Sequence, residues 1–493
     1  MQVDYQLASG PRLFGVENGQ IVQPGSGPVV TLAGGHVVPA FTDCHCHILP
    51  TGLDLHKLDL SGCTSHEEVA EKVLQRHREQ PDGWLHAVHY DQNRFPGGQH
   101  MTCKELDAVV ADRPVLLRHV NGHAGVANSA ALVAAGIAGD TPDPSGGTYR
   151  RGDDGRHDGV LLERAMEIVT NAAPEPSLEE MTAAIVSAGH AMSRFGVCSA
   201  TDMMTGRWNL EKELMAYQAA SEAGCPVRLR LFLQWGTVFG RQAIDAGRLN
   251  ELSSAMRPDV CRIEGAKIFA DGAIGSATAA IHGAFLTGGS GHLIYPPDRL
   301  SSMVHTADKA GWRIAIHAIG DRAVDHVMDA FEATDAPARH RLEHAMILSD
   351  GQIDRIAKSG VHVSMQPEFL YRFGHAYRAQ LPAEVAAKLN RARSLLGAGV
   401  PMSFSSDRPI VLGDPLVGIR SAVARPKGFD PAEAVPWVVA NRLYTSGAAT
   451  ANGDDGQGTL GVGKWADFAV FDKAPEDGGT VHTLFVGGRQ VYG

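Results

Sequence analysis

The sequence has no excess of basic charge, no long apolar run and no paired-cysteine spacing, and each absence closes off a class of protein. A formal net charge of -11 argues against nucleic acid or an anionic membrane as the main partner. No apolar run approaches about 18 residues and no basic-then-apolar leader opens the chain, so neither a membrane span nor secretion is expected. The 7 cysteines are scattered and odd in number, with no CxxC pair among them. A disulfide framework is therefore not expected, and a reducing, cytoplasmic setting is.

What is present is ordinary bulk with an unusual distribution of histidine. At 493 residues and 44% hydrophobic content, the chain exceeds one simple core and suits a large α/β domain with an accessory domain. The run His36-Val37-Val38-Pro39-Ala40-Phe41 leads into Asp43-Cys44-His45-Cys46-His47. If this is a β-strand, His45 and His47 point the same way and can grip one metal ion, while Cys44 and Cys46 face away into packing.

Further ligand-type residues follow, each closing an apolar run. Ile263 to Phe269 contains Lys267, Ile314-Ala315-Ile316 ends at His317, Arg341-Leu342-Glu343 ends at His344, and Phe404-Ser405-Ser406 ends at Asp407. Helix-like stretches at 321–332, 350–358 and 383–396 separate them, the last two stopping at Gly360 and Gly397. Strands alternating with amphipathic helices imply a parallel sheet. Polar residues at strand end after strand end predict a (β/α)₈ TIM barrel rather than an open doubly wound sheet, which gathers its ligands at one switch point.

Counting back from Asp407 at strand eight places 363–366 in seven, His344 in six, His317 in five, Lys267 in four, 228–233 in three and 197–202 in two. The β-like runs 85–90 and 115–120 are left over. They belong to an insertion of roughly residues 50–175 after strand one, expected to overhang the active site and carry substrate-recognition groups. Short β-like pieces in 1–40 and 459–493 are expected to pair into one small β-sandwich uniting the termini, with the barrel at 41–458.

His45, His47, His317, His344 and Asp407 form a borderline-to-hard donor set that suits Zn²⁺, and five such ligands exceed the need of one tetrahedral ion, which points to two. Lys267 has two readings. It can be a structural lysine paired with Glu264 or Asp271. Alternatively, a lysine buried among apolar neighbours has a depressed pKa, and its neutral amine can add CO₂ to give a carbamate, a bridging oxygen ligand.

In these residues the chain resembles the amidohydrolase superfamily, with His-x-His on strand one, Lys on four, His on five and six, and Asp on eight. More closely it resembles the amidohydrolase 3 branch of YtcJ-like proteins and N-substituted formamide deformylases. The matching stretches include Tyr90-Asp91-Gln92-Asn93, Leu117-Arg118-His119-Val120-Asn121-Gly122-His123, Lys267-Ile268-Phe269-Ala270-Asp271-Gly272, His317-Ala318-Ile319-Gly320-Asp321-Arg322 and Ser405-Ser406-Asp407-Arg408-Pro409. Ala277 departs from an arginine expected after strand four, and Gln366-Pro367-Glu368 lacks a histidine expected after the proline.

The resemblance implies metal-assisted hydrolysis of a small amide-type substrate, with Asp407 as general base and then proton donor to the leaving nitrogen. His123 either polarises the carbonyl or caps a loop. Arg118, Glu163, Asp202 and Arg322 are further candidates for substrate contact, although structural pairing would account for each. Self-association into a homo-oligomer is compatible with all of this. A mononuclear zinc deaminase is the alternative activity, but Ala318-Ile319-Gly320-Asp321 lacks the glutamate such enzymes place after the strand-five histidine. A non-catalytic scaffold is disfavoured because all six ligand-type residues are kept.

Overall fold

The structure, a computed structural model, describes residues 2–7, 12–120, 122, 124–241 and 243–493. Eight parallel strands form one sheet in chain order: β1 (Phe41–Cys46), β2 (Val197–Thr205), β3 (Arg228–Gln234), β4 (Cys261–Phe269), β5 (Ile314–Ala318), β6 (Arg341–His344), β7 (His362–Met365) and β8 (Met402–Phe404). Helices such as Leu210–Glu222, Pro297–Lys309 and Asp321–Glu332 connect successive strands, giving the (β/α)₈ barrel. β8 and β1 close it through backbone bonds just beyond the strand ends. Asp407 N–H donates to His45 O at 2.8 Å, and His47 N–H donates to Arg408 O at 2.7 Å.

The run expected to form strand one is two strands. His36–Pro39 pairs antiparallel with Phe468–Phe471 in a four-stranded sheet, and Phe41–Cys46 pairs with β2 in the barrel. The chain changes sheets at Ala40, whose N–H donates to Asp467 O, while Phe41 N–H donates to Gly196 O. A second four-stranded sheet holds Val3–Leu7, Arg12–Glu17, Gln20–Val22 and Val29–Leu32. Tyr5, Phe14, Phe468 and Phe485 pack in one cluster drawn from both chain ends, with Tyr5 edge-on to Phe468 at 5.4 Å.

Local signals explain where the helices stop. Asp350–Ser359 opens with a Ser349/Gln352 capping box and ends at Gly360, left-handed at φ 70°, the conformation glycine adopts without a Cβ clash. The helix expected over 383–396 is instead two short ones, Ala383–Ala387 and Ala392–Gly397. Asn390, at φ 53°, breaks it: its N–H donates to Met346 O and its amide Nδ2 to Gln366 O. The left-handed stop after the second helix is Gly399 rather than Gly397.

Gly52–Glu180 form a separate compact unit. It carries a six-stranded mixed sheet that includes Leu85–Tyr90 and Val115–His119, over a core of Val69, Leu106, Leu117 and Val126. No helix among the described residues is long and apolar enough to cross a membrane.

Near the starts of the barrel strands, the buried Arg228 and Arg230 and the half-buried Arg262 meet acids from the segment that returns to the sandwich. Arg228 makes two contacts of 3.1 Å with the Asp467 carboxylate, and Arg230 and Arg262 both bind Asp454 at 2.8 Å. Removing one partner of a buried pair leaves the other charge uncompensated. Asp467→Ala is therefore expected to lower stability by about 3–5 kcal/mol, read from the urea unfolding curve; an unchanged midpoint would show that the pair does not tie sandwich to barrel.

Candidate metal centre

Strand register sets the ligand-type residues around one barrel end. Phe269 on β4 is level with His317 on β5, and Ala318 is level with His344 on β6. His45, His344 and Asp407 offer ligand atoms that all lie within 4.8 Å of one another. The His47 Nε2 is 2.9 Å from Asp407 Oδ1, and the His317 ring centre is 4.5 Å from that of His344. Lys267, 1% exposed, has its Nζ 4.9 Å from the centre of the Phe269 ring. The six residues expected to hold metal thus lie together.

The backbone is bent to achieve this. His344 and Asp407 have φ of 72° and 60°, values that cost a residue with a Cβ roughly 1–2 kcal/mol. In a regular strand Glu343 and His344 would face opposite ways. The left-handed turn at His344 lets both reach the same region.

Each imidazole is oriented by a named partner. His45 Nδ1 is 2.6 Å from Glu343 Oε2, leaving Nε2 on the side of Asp407. His344 Nδ1 is 2.7 Å from Gln366 Oε1, and His317 Nε2 is 3.0 Å from Gly272 O, which leaves Nδ1 of that ring as the available donor atom. Residue order alone does not reveal Glu343 and Gln366, because strand periodicity turns Glu343 away from its histidine neighbour. The signal available was an acid beside a histidine in a fully buried strand.

Burial dominates the electrostatics. It pulls the Lys267 amine down to about 8, against the opposing pull of Glu343 and Asp407. It also holds His45 and His344 well below the usual histidine range, helped by Lys267 and His317 respectively. For Asp407 burial works upward, but the surrounding imidazoles of His47, His45 and His344 win and keep the carboxyl well below its ordinary value.

These features fit a divalent cation. The donors are imidazole nitrogens and a carboxylate, and Lys267 Nζ is a buried polar atom with no hydrogen-bond partner among the described residues. Neither acid considered as a structural partner for Lys267 serves it. Glu264 pairs with Arg262 at 2.6 Å. Asp271 accepts the N–H groups of Ala280, Ile319 and Gly320 at 2.9–3.0 Å.

Asp202 and Arg322, two further expected site residues, have structural partners. Asp202 is committed to backbone: its Oδ2 accepts from Ile48 N–H at 2.8 Å and Leu49 N–H at 3.2 Å and from the Tyr217 hydroxyl, anchoring the helix that follows His47. Arg322 donates to Ser290 O and Gly291 O, clasping the loop after β4. Arg118 pairs with Asp54, and Glu163 is exposed at the end of the strand His157–Glu163, both within the 52–180 unit. His123 lies outside the described residues. Where an arginine was expected, Ala277 packs against the cluster of Ile274 and Phe285; Glu368, near the missing histidine, is buried and binds Arg372 at 2.9 Å. Cys44 and Cys46 contact Ser403 and the Thr201 carbonyl, as packing residues do.

A (β/α)₈ barrel with clustered histidines and an aspartate at its strand ends defines a metal-dependent hydrolase. The chain belongs to the amidohydrolase family, whose sequence profile matches residues 28–492. It is 31% identical to YtcJ of Bacillus subtilis (strain 168) over 90% of this chain and 85% of that one. It is 32% identical to the N-substituted formamide deformylase of Arthrobacter pascens over 96% and 90%. Among solved structures, an uncharacterized metal-dependent hydrolase from Pyrococcus furiosus superposes with a TM-score of 0.79 at 27% identity, covering 96% of this chain and all of that one.

Two buried histidines around the barrel give a pH dependence. His340 Nδ1 accepts the Ile314 N–H at 3.3 Å, and His362 lies 2.9 Å from the Ser403 hydroxyl. Burial lowers them to about 4 and about 3. The unfolded chain takes up these protons near pH 6.5 and the folded protein does not, so their stabilisation is full above about pH 6.5 and is lost as pH falls toward 4. Asp43, raised to about 6 by burial, acts the other way below pH 6, as do Glu264, Glu368 and Asp414, also raised by burial; against them His86 and His100, lowered to about 4 by burial, add to His340 and His362. The urea midpoint should therefore fall from pH 7 to pH 4.5, and a flat or rising midpoint would refute this account.

Proposed function

We propose that the protein hydrolyses a carbon–nitrogen bond of the amide type, outside peptide bonds, in a small molecule, with Zn²⁺ held by His45, His47, Lys267, His317, His344 and Asp407. The observation that carries this reading is the convergence of His45, His344 and Asp407, with a buried Lys267 whose Nζ has no hydrogen-bond partner among the described residues. Five ligands besides the lysine suit two ions per chain, and a carbamate formed from CO₂ on Lys267 would give the sixth residue oxygen donors. When bound, such ions supply Lewis acidity toward a carbonyl and a hydroxide-like nucleophile near neutral pH.

The chain's own groups supply the proton traffic. Asp407, kept ionised by the imidazoles around it, takes the proton of the attacking water and delivers it to the leaving nitrogen, giving acid and amine. His47 Nε2 lies 2.9 Å from the same carboxylate oxygen. Similarity to a formamide deformylase supports N-acyl or N-formyl amines as the substrate class. The free, buried cysteines support a cytoplasmic setting.

The test is a hydrolysis screen of N-acyl and N-formyl amines with the zinc-loaded protein, read with metal analysis. Turnover with near two zinc ions per chain is expected. Ammonia release from an amino-substituted ring with one ion would favour deamination, and no metal would favour a scaffold. Asp407→Asn is expected to lose at least about two orders of magnitude in turnover; near-normal turnover would remove Asp407 from the mechanism.

A further inference from the structure

Glu343 is fully buried in β6, and its carboxylate links two buried side chains. Its Oε2 lies 2.6 Å from His45 Nδ1 and accepts from Arg341 Nη2 at 3.2 Å, while its Oε1 lies 2.8 Å from Arg341 Nε. Arg341, also fully buried, donates to Cys44 O at 2.9 Å and to Asn452 Oδ1 at 3.3 Å. Asn452 follows the helix Ser446–Ala451 beyond β8, so a chain of contacts runs from that helix, through Arg341 and Glu343, to His45.

The chemistry of this chain sets the tautomer. A guanidinium is always protonated, and the carboxylate paired with it offers lone pairs alone, so the hydrogen in the 2.6 Å contact sits on His45 Nδ1. Nε2 then carries the ring's lone pair, and Nε2 is the atom that lies 3.4 Å from Asp407 Oδ1. We propose that Glu343, braced by Arg341, is a positioning residue for metal binding that locks His45 with Nε2 as its ligand atom. The inference rests on the metal-binding reading of the site. His344 offers an internal contrast: its Nδ1 faces the neutral Gln366, whose Nε2 donates to Ser405 Oγ at 2.9 Å. One ring is thus oriented by a carboxylate and the other by an amide.

The experiment measures Zn²⁺ affinity by chelator competition, and the visible bands of the Co²⁺-loaded full-length protein, in wild type, Glu343→Gln and a control, Glu264→Gln. Glu264 is a buried acid of the same barrel paired with Arg262 and Arg230. Glu343→Gln is expected to bind Zn²⁺ at least about tenfold more weakly and to shift the Co²⁺ bands, whereas Glu264→Gln retains wild-type affinity and spectrum. Should Glu343→Gln yield no folded protein, Glu343→Asp, which keeps a charge for Arg341 but shortens the reach to His45, is read by the same measurements with the same expectation. Wild-type affinity and bands in the Glu343 variant, or an equal loss in the Glu264 control, would overturn the proposal. A wild-type protein that binds no Zn²⁺ would overturn the metal reading, and this inference with it.

Discussion

The seam between β8 and β1 is the constraint on which the site depends. Two backbone hydrogen bonds, from Asp407 N–H to His45 O and from His47 N–H to Arg408 O, close the barrel and place three ligand-type side chains together. The Asp43 carboxylate reinforces the seam by accepting the Ser406 N–H at 3.0 Å and the Ser406 hydroxyl. Buried backbone groups must be paired, so the barrel cannot open here without losing these bonds and separating the ligands. Closing the sheet and assembling the site are the same event.

That arrangement carries local strain, and the rim holds it. His344, Ala345 and Asp407 all have left-handed backbone. Ala345 N–H donates to Ala318 O and Ile347 N–H to Ile319 O, fixing the turn after β6 to the one after β5. The loops following β4 to β8 share an apolar cluster of Ile274, Ile319, Met346, Phe369 and Val411, and Phe369 stacks nearly parallel to the His344 ring at 6.3 Å. Close-packed side chains resist displacement, so the strained ligands are kept in place from outside the polar group.

The other end of the strands is governed by buried charge. Arg228, Arg230, Arg262 and Arg341 are met by Asp467, Asp454, Glu264 and Glu343. Such pairs add little net stability but are costly to mismatch. The pairs made by Asp454 and Asp467 therefore specify how the 452–467 segment seats against the barrel. Glu343 belongs both to this arginine layer and to the histidine cluster.

Much of this was legible from residue order alone. A run containing Lys267 and runs ending at His317, His344 and Asp407 marked strands and their polar ends, because a parallel sheet buried on both faces admits polar residues mainly at strand ends. The split at Ala40 was not legible, since one apolar run serves two sheets and periodicity carries no partner information. Nor was the break at Asn390, whose left-handed backbone is fixed by Met346 and Gln366 from other loops. The sequence by itself determined the barrel class and the identity of the metal-type residues, because those follow from hydrophobic period and side-chain chemistry. The tertiary structure alone decided that Asp202 serves the backbone, that Glu343 and Gln366 orient the histidines, and that neither Glu264 nor Asp271 pairs with Lys267, because each depends on contacts between strands distant in the chain.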